Sequence, residues 1–429
     1  MVEQVSFKTS LGRTFLFILI VTLLLWPRYI VFKVDPLPGV RVDRIFLSLS
    51  ILIYFVYFLF SKRPLSKLKK YKMFVLLLTT LSFVFFISFL NNIPNLKSFY
   101  AYVNFLVTGP FLAIYCITFI DDKEHIEKVL ELMVLVFLVM NIIALFEFFV
   151  EHPLFDKFLI TKKNIMWAVR PHYREGKYRV QSLFPNPLVY AQVLVALIPI
   201  NWYFFKGKKT NFIFKILVFF NLFLSIIMVF LTDSRAGIGL VCLMPFLVLY
   251  EKTSNKIFKL MIKMIGFFVF ILIFFKLVVI VKEIPFDFVK KLAIEGANKR
   301  TLSLYYRFVQ LKFAIICFMK KPFLGFGYGN VQYIIKPFLK SMDNYVLTLI
   351  ISGGILGLVS FFAVVFYGLN FSINKIDKTI RDLSLYVKVS AINLLLFYLI
   401  LSIDLNNSLL FVLLAILVII KKNYSKGFK

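Results

Sequence analysis

The 429-residue sequence predicts an all-α polytopic membrane protein with about twelve transmembrane helices, and three observations carry that prediction. Hydrophobic residues make up 61% of the chain, with 54 phenylalanines, whereas a water-soluble domain holds about 45–50% apolar residues. These residues gather in runs of about 20, the length a helix needs to cross a bilayer. The 51 Lys and Arg outnumber the 21 Asp and Glu, for a net charge of +30, and they fall between the runs as topology signals do. A nucleic-acid partner is therefore not implied. Length alone would suggest about three soluble domains, but composition overrules it in favour of one integral membrane domain over residues 1–429. Cys116, Cys242 and Cys317 sit in apolar stretches without a CxxC pair, which disfavours a disulfide framework and a zinc site.

In chain order the spans are expected near Thr14–Phe32, Ile45–Phe60, Met73–Leu90, Phe99–Ile120, Val129–Val150 and Leu188–Phe205. Six more follow near Phe212–Leu231, Ile238–Tyr250, Ile257–Val281, Asn344–Leu369, Val387–Ser402 and Leu405–Ile420. No small-residue cleavage site follows the first, which reads as a retained helix and not a signal peptide. An even count puts both termini on one side. That side carries Lys8, Arg13, the loop SKRPLSKLKKYK at 61–72, Lys206, Lys208 and Lys209, the loop with Lys375, Lys378, Arg381 and Lys388, and the basic tail from Lys421. The short opposite loops are poorer in Lys and Arg, with residues 28–44 as the exception. The termini are therefore assigned to the cytoplasm.

Two longer segments then face outward, 151–187 and 282–343, the second a large loop between spans nine and ten. Long loops escape the positive-inside rule, yet both are basic. Their charge fits either attraction to anionic headgroups or an electropositive cavity for a phosphate-bearing lipid. Within the second loop, 306–319 has a helical apolar pattern too short to span, stopped at Lys320-Lys321-Pro322. The Gly325-Phe326-Gly327-Tyr328-Gly329-Asn330 run that follows lacks the strand and βαβ unit of a dinucleotide fingerprint. It is expected to be a turn that lets backbones approach closely. Phosphate-binding lysine loops, HExxH and GxSxG are absent from the sequence, so ATPase, zinc protease and serine hydrolase chemistry have no support.

Three arginines stand at outer helix ends. Arg179 precedes Ser182-Leu183-Phe184-Pro185-Asn186-Pro187, Arg235 lies in Thr232-Asp233-Ser234-Arg235-Ala236-Gly237, and Arg307 lies in Tyr305-Tyr306-Arg307-Phe308. A guanidinium stays protonated and grips phosphate oxygens with a planar fork; an arginine at a span end also snorkels to the interface without other purpose. Asp343, before Asn344-Tyr345, fits either an N-cap for the next span or a general base at the membrane lip. His125 falls on the cytoplasmic side, and His152 and His172 read as ordinary loop histidines. Lys263 and Lys276 in the ninth span are what a lipid-glycan flippase or other transporter would offer instead, but the sequence shows no clear internal repeat and most acids, Glu147 and Asp404 among them, lie at span ends.

In order and spacing these motifs resemble the bacterial O-antigen ligase and O-antigen polymerase superfamily across residues 179–357. The resemblance rests on Arg179 with Phe184-Pro185-Asn186-Pro187, on Ser234-Arg235-Ala236-Gly237, and on Arg307 ahead of a short helix. Lys321-Pro322-Phe323-Leu324-Gly325, Asp343-Asn344-Tyr345 and Gly354-Ile355-Leu356-Gly357 complete it. It implies a fold like that of the GT-C-type lipid-donor glycosyltransferases and a metal-independent, inverting transfer without a cofactor. The implied donor is an undecaprenyl-pyrophosphate-linked oligosaccharide and the acceptor a growing glycan or the lipid A core, in surface polysaccharide synthesis at the bacterial cytoplasmic membrane. Arg179, Arg235 and Arg307 match the positions that handle the pyrophosphate, with Asn186, Ser234 and Asn344 in support. The ligases carry a histidine where this chain has Asp343, which tilts the expectation toward a polymerase with Asp343 as base.

The assigned topology predicts that a cysteine placed in the Lys62–Lys72 loop reacts with an impermeant maleimide only after permeabilisation. One near Lys299 reacts in intact spheroplasts. The reverse pattern would invert the orientation.

Overall fold

The computed structural model describes residues 2–27, 30, 32, 41–61, 63–92, 96–155, 171–207, 211–262, 264, 299–335, 339, 342–378, 380–399 and 407–425. Most of the ninth expected span with Lys263 and Lys276, the loop to residue 298 and Asp404 lie outside them. The first part of the chain forms α1 (Val2–Leu25), α2 (Val42–Phe60), α3 (Arg63–Lys70), α4 (Lys72–Leu90), α5 (Leu96–Leu106), α6 (Leu112–Phe119) and α7 (Lys123–Val150). A π-helical turn at Val107–Phe111, with Pro110 inside it, joins α5 to α6. A small hairpin, β1 (Tyr173–Arg174) and β2 (Lys177–Tyr178), precedes α8 (Pro187–Lys206), α9 (Phe212–Leu231) and α10 (Arg235–Lys252). Then come α11 (Lys299–Lys320), α12 (Val331–Ile335), α13 (Tyr345–Leu369), α14 (Arg381–Tyr398) and α15 (Asn407–Tyr424).

Among the described residues eight helical stretches are long and apolar enough to cross a membrane: α2, α4, α5–α6, α7, α8, α9, α13 and α15. This agrees with a polytopic membrane protein. The first expected span appears as the shorter apolar stretch Ser10–Leu25. The eighth falls inside α10 and the eleventh starts inside α14, which ends at Tyr398; the ends of these helices carry Arg235, Glu251, Lys252, Arg381 and Asp382. The segment 61–72, expected as a plain loop, contains the basic helix α3. Helix α11 begins at Lys299, seven residues before the expected start.

At the centre stands α15, whose residues from Leu409 to Ile420 are all buried. A helix apolar on every face belongs inside a bundle, and α6, α13 and α14 pack around it. On one side α8 lies against α9 and α14, with α7 behind. Five fully buried polar side chains tie that side together. Asn141 on α7 donates to Asn221 Oδ1 (2.7 Å) and Ser225 Oγ (2.8 Å) on α9, and accepts from the Tyr190 hydroxyl on α8 (2.6 Å). Asn221 donates in turn to Asn201 Oδ1 (2.8 Å) on α8 and to the Val134 carbonyl (2.9 Å) on α7.

One end of the bundle is knotted by charge. The Asp121 carboxylate takes Arg13 Nη2 (2.6 Å) from α1 and Lys67 Nζ (2.5 Å) from α3, and its carbonyl accepts from Asn423 of α15 (3.0 Å). The Asp377 amide donates to Tyr424 O at the same end. The start of the chain, the 61–72 segment, the loop before α14 and the end of α15 thus meet there. Nearby, Lys388 of α14 is buried against Glu251 of α10 (2.8 Å) and the Phe371 carbonyl (3.0 Å).

On the other side α13 is interrupted. Gly354 takes φ 60° and ψ −156°, a conformation essentially confined to glycine. The loop from Pro322 to Gly327 fills the break with backbone: Phe326 and Gly327 donate to the carbonyls of Ile351 (2.8 Å) and Ser352 (2.9 Å). In return Ile355 and Leu356 donate to Pro322 (2.8 Å) and Phe323 (3.2 Å). The Ser88 hydroxyl of α4 lies between the carbonyls of Leu324 and Ser352. Gly353 and Gly357, one turn apart, form the flat patch on which the Phe85 ring rests, the small-residue contact favoured between membrane helices.

At Gly325 (φ 61°) an added Cβ would stand 2.5 Å from Ile351 O and 2.7 Å from Gly354 N. Strained backbone and clash together predict that Gly325→Ala destabilises the protein by about 2 kcal/mol or more, read as a lowered Tm of the detergent-purified protein. An unchanged Tm would mean that this loop is not docked in the helix break.

Candidate functional site

The sequence-selected residues lie at the end of the bundle opposite the Asp121 knot, and the local sequence explains how each is held. Thr232-Asp233-Ser234 turns α9 into α10: Asp233 has φ 46°, and Ser234 caps α10 by accepting the Gly237 N–H (3.1 Å). A hydroxyl cap followed by small residues makes a tight helix start, so Arg235 becomes the first residue of α10 with its side chain exposed. Asn186 does the same for α8, accepting from the Leu188 N–H (2.8 Å), with Pro187 in the first turn, where its missing donor is harmless.

Arg179 holds the Ser234 turn in place. Its Nε donates to Thr232 O (2.9 Å) and its Nη2 to Asp233 O (3.4 Å), while its backbone N–H donates to His172 O (2.8 Å). Arg174 adds an ion pair to Asp233 (3.1 Å). Burial pushes the Arg179 pKa down to about 10, Arg174 pushes the same way and Asp233 opposes it. The group remains cationic at neutral pH. Of the three arginines, then, Arg179 is tethered at two N–H groups, whereas the exposed Arg235 and Arg307 side chains make no hydrogen bond or ion pair among the described residues.

Beneath Arg179 lies a carboxylate that motif reading did not place in the site. Glu147, fully buried on the last turns of α7, accepts from the Tyr178 hydroxyl (2.6 Å) and the Gln181 N–H (2.9 Å) through Oε1. It thereby fixes both flanks of Arg179. The Ser182 hydroxyl donates to the Met140 carbonyl on the same helix (2.9 Å), at a residue with φ 54°. Glu147 Oε2 and both amide atoms of the Gln181 side chain are buried with no hydrogen-bond partner among the described residues. A single carboxylate in the apolar later part of α7, Leu132–Val150, was the available signal.

Asp343 and the helix that carries Arg307 approach the site from another direction. Asn344, not Asp343, caps α13: its Oδ1 accepts the Leu347 N–H (3.1 Å). The capping role weighed for Asp343 belongs to its neighbour. The Asp343 backbone N–H instead donates to Gln310 Oε1 (3.3 Å) on α11. Gln310 follows Arg307 by three residues, one helical turn along the same face. Val309, Phe313, Ala314 and Cys317 of α11 pack on Leu339, Met342 and Ile351, which seats α11 beside the start of α13.

The C-terminal end of α14 joins the two groups. Leu396 and Phe397 pack against Leu188 of α8 and Ala236 of α10, next to Arg235. Two residues on, Leu399 O accepts from Asn344 Nδ2 (2.5 Å), and the Tyr398 ring lies 4.8 Å from that of Tyr345. His152 and His172 stay in the adjoining loops, and His125 pairs with Asp122 near the opposite end. Among the described residues, His, Cys, Asp and Glu form no group of three or more that would hold a metal ion.

Residues 220–362 match the model of the O-antigen ligase family, about a third of the chain, and the resemblance read from the motifs holds over that stretch. It spans α9 to most of α13 and includes Ser234, Arg235, Arg307, Asp343 and Asn344, while Arg179 and Asn186 precede it. No curated protein matches the chain.

Replacing Glu147 by Ala would strand the buried Tyr178 hydroxyl and Gln181 amide, each at a cost of about 1–3 kcal/mol. The expected result is a lower Tm together with increased protease cleavage between residues 171 and 187. An unchanged cleavage pattern would show that the carboxylate does not anchor this loop.

Proposed function

We propose that the protein is a membrane glycosyltransferase of the O-antigen ligase/polymerase type, acting on an undecaprenyl-pyrophosphate-linked oligosaccharide at the outer face of the bacterial cytoplasmic membrane. The family match supports a glycosyltransferase-like, membrane-embedded enzyme with lipid-linked glycan substrates. The observation that carries the finer reading is the gathering of the Arg179–Arg235 turn and the Asp343–Arg307 pair of elements around the end of α14. Cations and a carboxylate at one membrane lip are what an anionic leaving group and a hydroxyl nucleophile require.

In this reading the acceptor hydroxyl oxygen attacks the anomeric carbon and its proton passes to the Asp343 carboxylate. The bond from that carbon to the pyrophosphate oxygen breaks on the opposite face, its electron pair leaves with the pyrophosphate, and the configuration inverts. Arg235 and Arg307, exposed, meet the charge growing on the leaving group, an electrostatic contribution of several kcal/mol in comparable sites. Arg179 keeps part of its fork for the same anion while holding the turn that presents Arg235. No metal or cofactor takes part. Polymerase chemistry is favoured over ligation to a lipid A core because Asp343 stands where the ligases carry histidine. The termini and the Asp121 end face the cytoplasm.

Because Asn344 provides the cap, Asp343→Asn should leave the Tm unchanged while glycosyl transfer falls by about 10²-fold or more; Asp343→His should restore part of it. Wild-type turnover in Asp343→Asn would remove this residue as the base. Arg307→Lys, which keeps the charge and loses the fork, and Arg235→Ala should lower turnover without changing expression or Tm. Deletion in the native host separates the two activities: single-repeat glycan on gels means polymerase, and full-length glycan left on the carrier lipid means ligase. A flippase would release no undecaprenyl pyrophosphate from lipid-linked glycan with the purified protein.

A further inference from the structure

A second polar site lies away from the arginines just described, between α2 and α5. Deeper in the bundle α2 meets the continuation of α5, where the Tyr54 ring lies 5.8 Å from Phe111 in the π-helical turn and 6.2 Å from Tyr115 in α6. Toward the end opposite the Asp121 knot α2 and α5 border an open cleft of about 160 Å³, on which the Arg44, Ser48 and Tyr100 side chains are exposed. Helical spacing builds its wall: Arg44 and Ser48 are four apart on α2, and Tyr100 and Asn104 are four apart on α5, so each pair lines one face. Leu47 and Val103 supply an apolar lining.

The side chains of Arg44, Ser48, Tyr100 and Asn104 make no hydrogen bond or ion pair among the described residues. The nearest acid is already taken: Asp43 binds Arg41 through two bonds of 2.9 and 2.6 Å, fork to fork. Among the described residues Arg44 is thus a guanidinium beside three further donors and with no carboxylate bonded to it. Its surroundings are apolar, since Ile45, Leu49, Leu52 and Phe55 of α2 are all exposed as lipid-facing residues would be. Unpaired polar groups and charges are costly at membrane depth unless something satisfies them. Arg44 is the third residue of α2, and Ser48 lies four residues, about 6 Å, further in. This is the depth of headgroups and their ester linkages.

We propose that this cleft binds the phosphodiester headgroup of a membrane phospholipid, whose acyl chains lie along the exposed apolar face of α2. The Arg44 fork takes two phosphate oxygens, the Ser48 and Tyr100 hydroxyls and the Asn104 amide donate to the rest, and Leu47 and Val103 contact the glycerol. On its other side α5 supports the glycine-rich loop: the Tyr328 ring lies tilted against Phe105 at 4.8 Å, and Gly329 sits against Ser98 and Ala101. An occupant would therefore brace the helix against which that loop is packed.

Thermal unfolding and native mass spectrometry of the purified full chain in detergent test the proposal, with phosphatidylglycerol, diacylglycerol and inorganic phosphate as probes. Phosphatidylglycerol should raise the wild-type Tm and be retained in the gas phase, whereas diacylglycerol and inorganic phosphate should do neither. Arg44→Gln should weaken the phosphatidylglycerol response by about ten-fold or more in lipid concentration, and Arg44→Lys less so. If Arg44→Gln fails to fold, Asn104→Leu, which keeps the charge and fills the cleft, should lose the response in the same way. An equal response to inorganic phosphate would make this a free-anion site and overturn the lipid assignment. A response to diacylglycerol, or an undiminished one in Asn104→Leu, would overturn it as well. None of these readouts measures glycosyl transfer, so the outcome is independent of the function proposed above.

Discussion

A backbone polar group inside a bilayer must find its partner within the protein, and the break in α13 shows how much of this structure follows from that rule. Gly354 ends the regular hydrogen-bond ladder and leaves carbonyls at Ile351 and Ser352 and amides at Ile355 and Leu356. The loop after α11 satisfies all four with its own backbone. A side chain at Gly325 or Gly354 would separate the two strands of this exchange, since an added Cβ at either would fall within a bond's reach of backbone on the other. Once the exchange is made, the end of α11 is fixed relative to α13, and with it the face that carries Arg307 and Gln310. Helix α4 closes the arrangement through Ser88 and Phe85, and Lys321 reaches Asn92 at its end (2.6 Å).

The remaining helices are aligned by polar groups for a related reason. Apolar side chains gain little from meeting each other in lipid, because lipid tails are equally apolar. The rotation of α7, α8 and α9 is instead specified by the Asn141, Tyr190, Asn201 and Asn221 network, in which each group has few alternative partners. Glu147 extends the same logic to the loop above. It is two turns beyond Asn141 on α7, and it converts the orientation of that helix into the position of Arg179. The buried Lys388–Glu251 pair sets α14 against α10. Thus the two turns that present arginines, and the end of α14 between them, are registered by polar contacts deep in the bundle.

The fold class was legible because length and apolarity decide it, and α2, α4, α7, α9 and α13 fall close to the runs that suggested them. The helix starts at Asn186 and Ser234 were legible from residue type and the small or proline residues behind them. Asp343 and Asn344 are both good caps by type, and only the geometry assigns the cap to the second. The glycine-rich run was legible as a turn of close approach, but its partners stand some 25 residues later in a stretch that reads as an unbroken apolar helix. Nothing in a hydropathy pattern marks a break that is fully satisfied by another segment. The Arg179 tether and the Gln310 contact to Asp343 were hidden for the same reason, since each joins residues distant in sequence through a backbone atom, which no residue type encodes.

The division of labour among the three arginines follows from these contacts. A guanidinium that binds two protein carbonyls is held in one orientation, and the ordering entropy of a long side chain is lost on folding and not on substrate binding. Arg179 is such a group, and its pinned geometry fixes the turn before α10. Arg235 and Arg307 retain their rotamer freedom in the described structure, which in the proposed function lets them follow a bulky lipid-linked anion. Asp343 sits between the two regimes. Its backbone is tied to Gln310, while the helix it precedes is a short segment, Tyr345–Gly353, anchored at its far end by the exchange with the glycine loop. The carboxylate is therefore placed by a stub about two and a half turns long and not by the whole of α13, so the break in the helix sets the height of this group along the bundle.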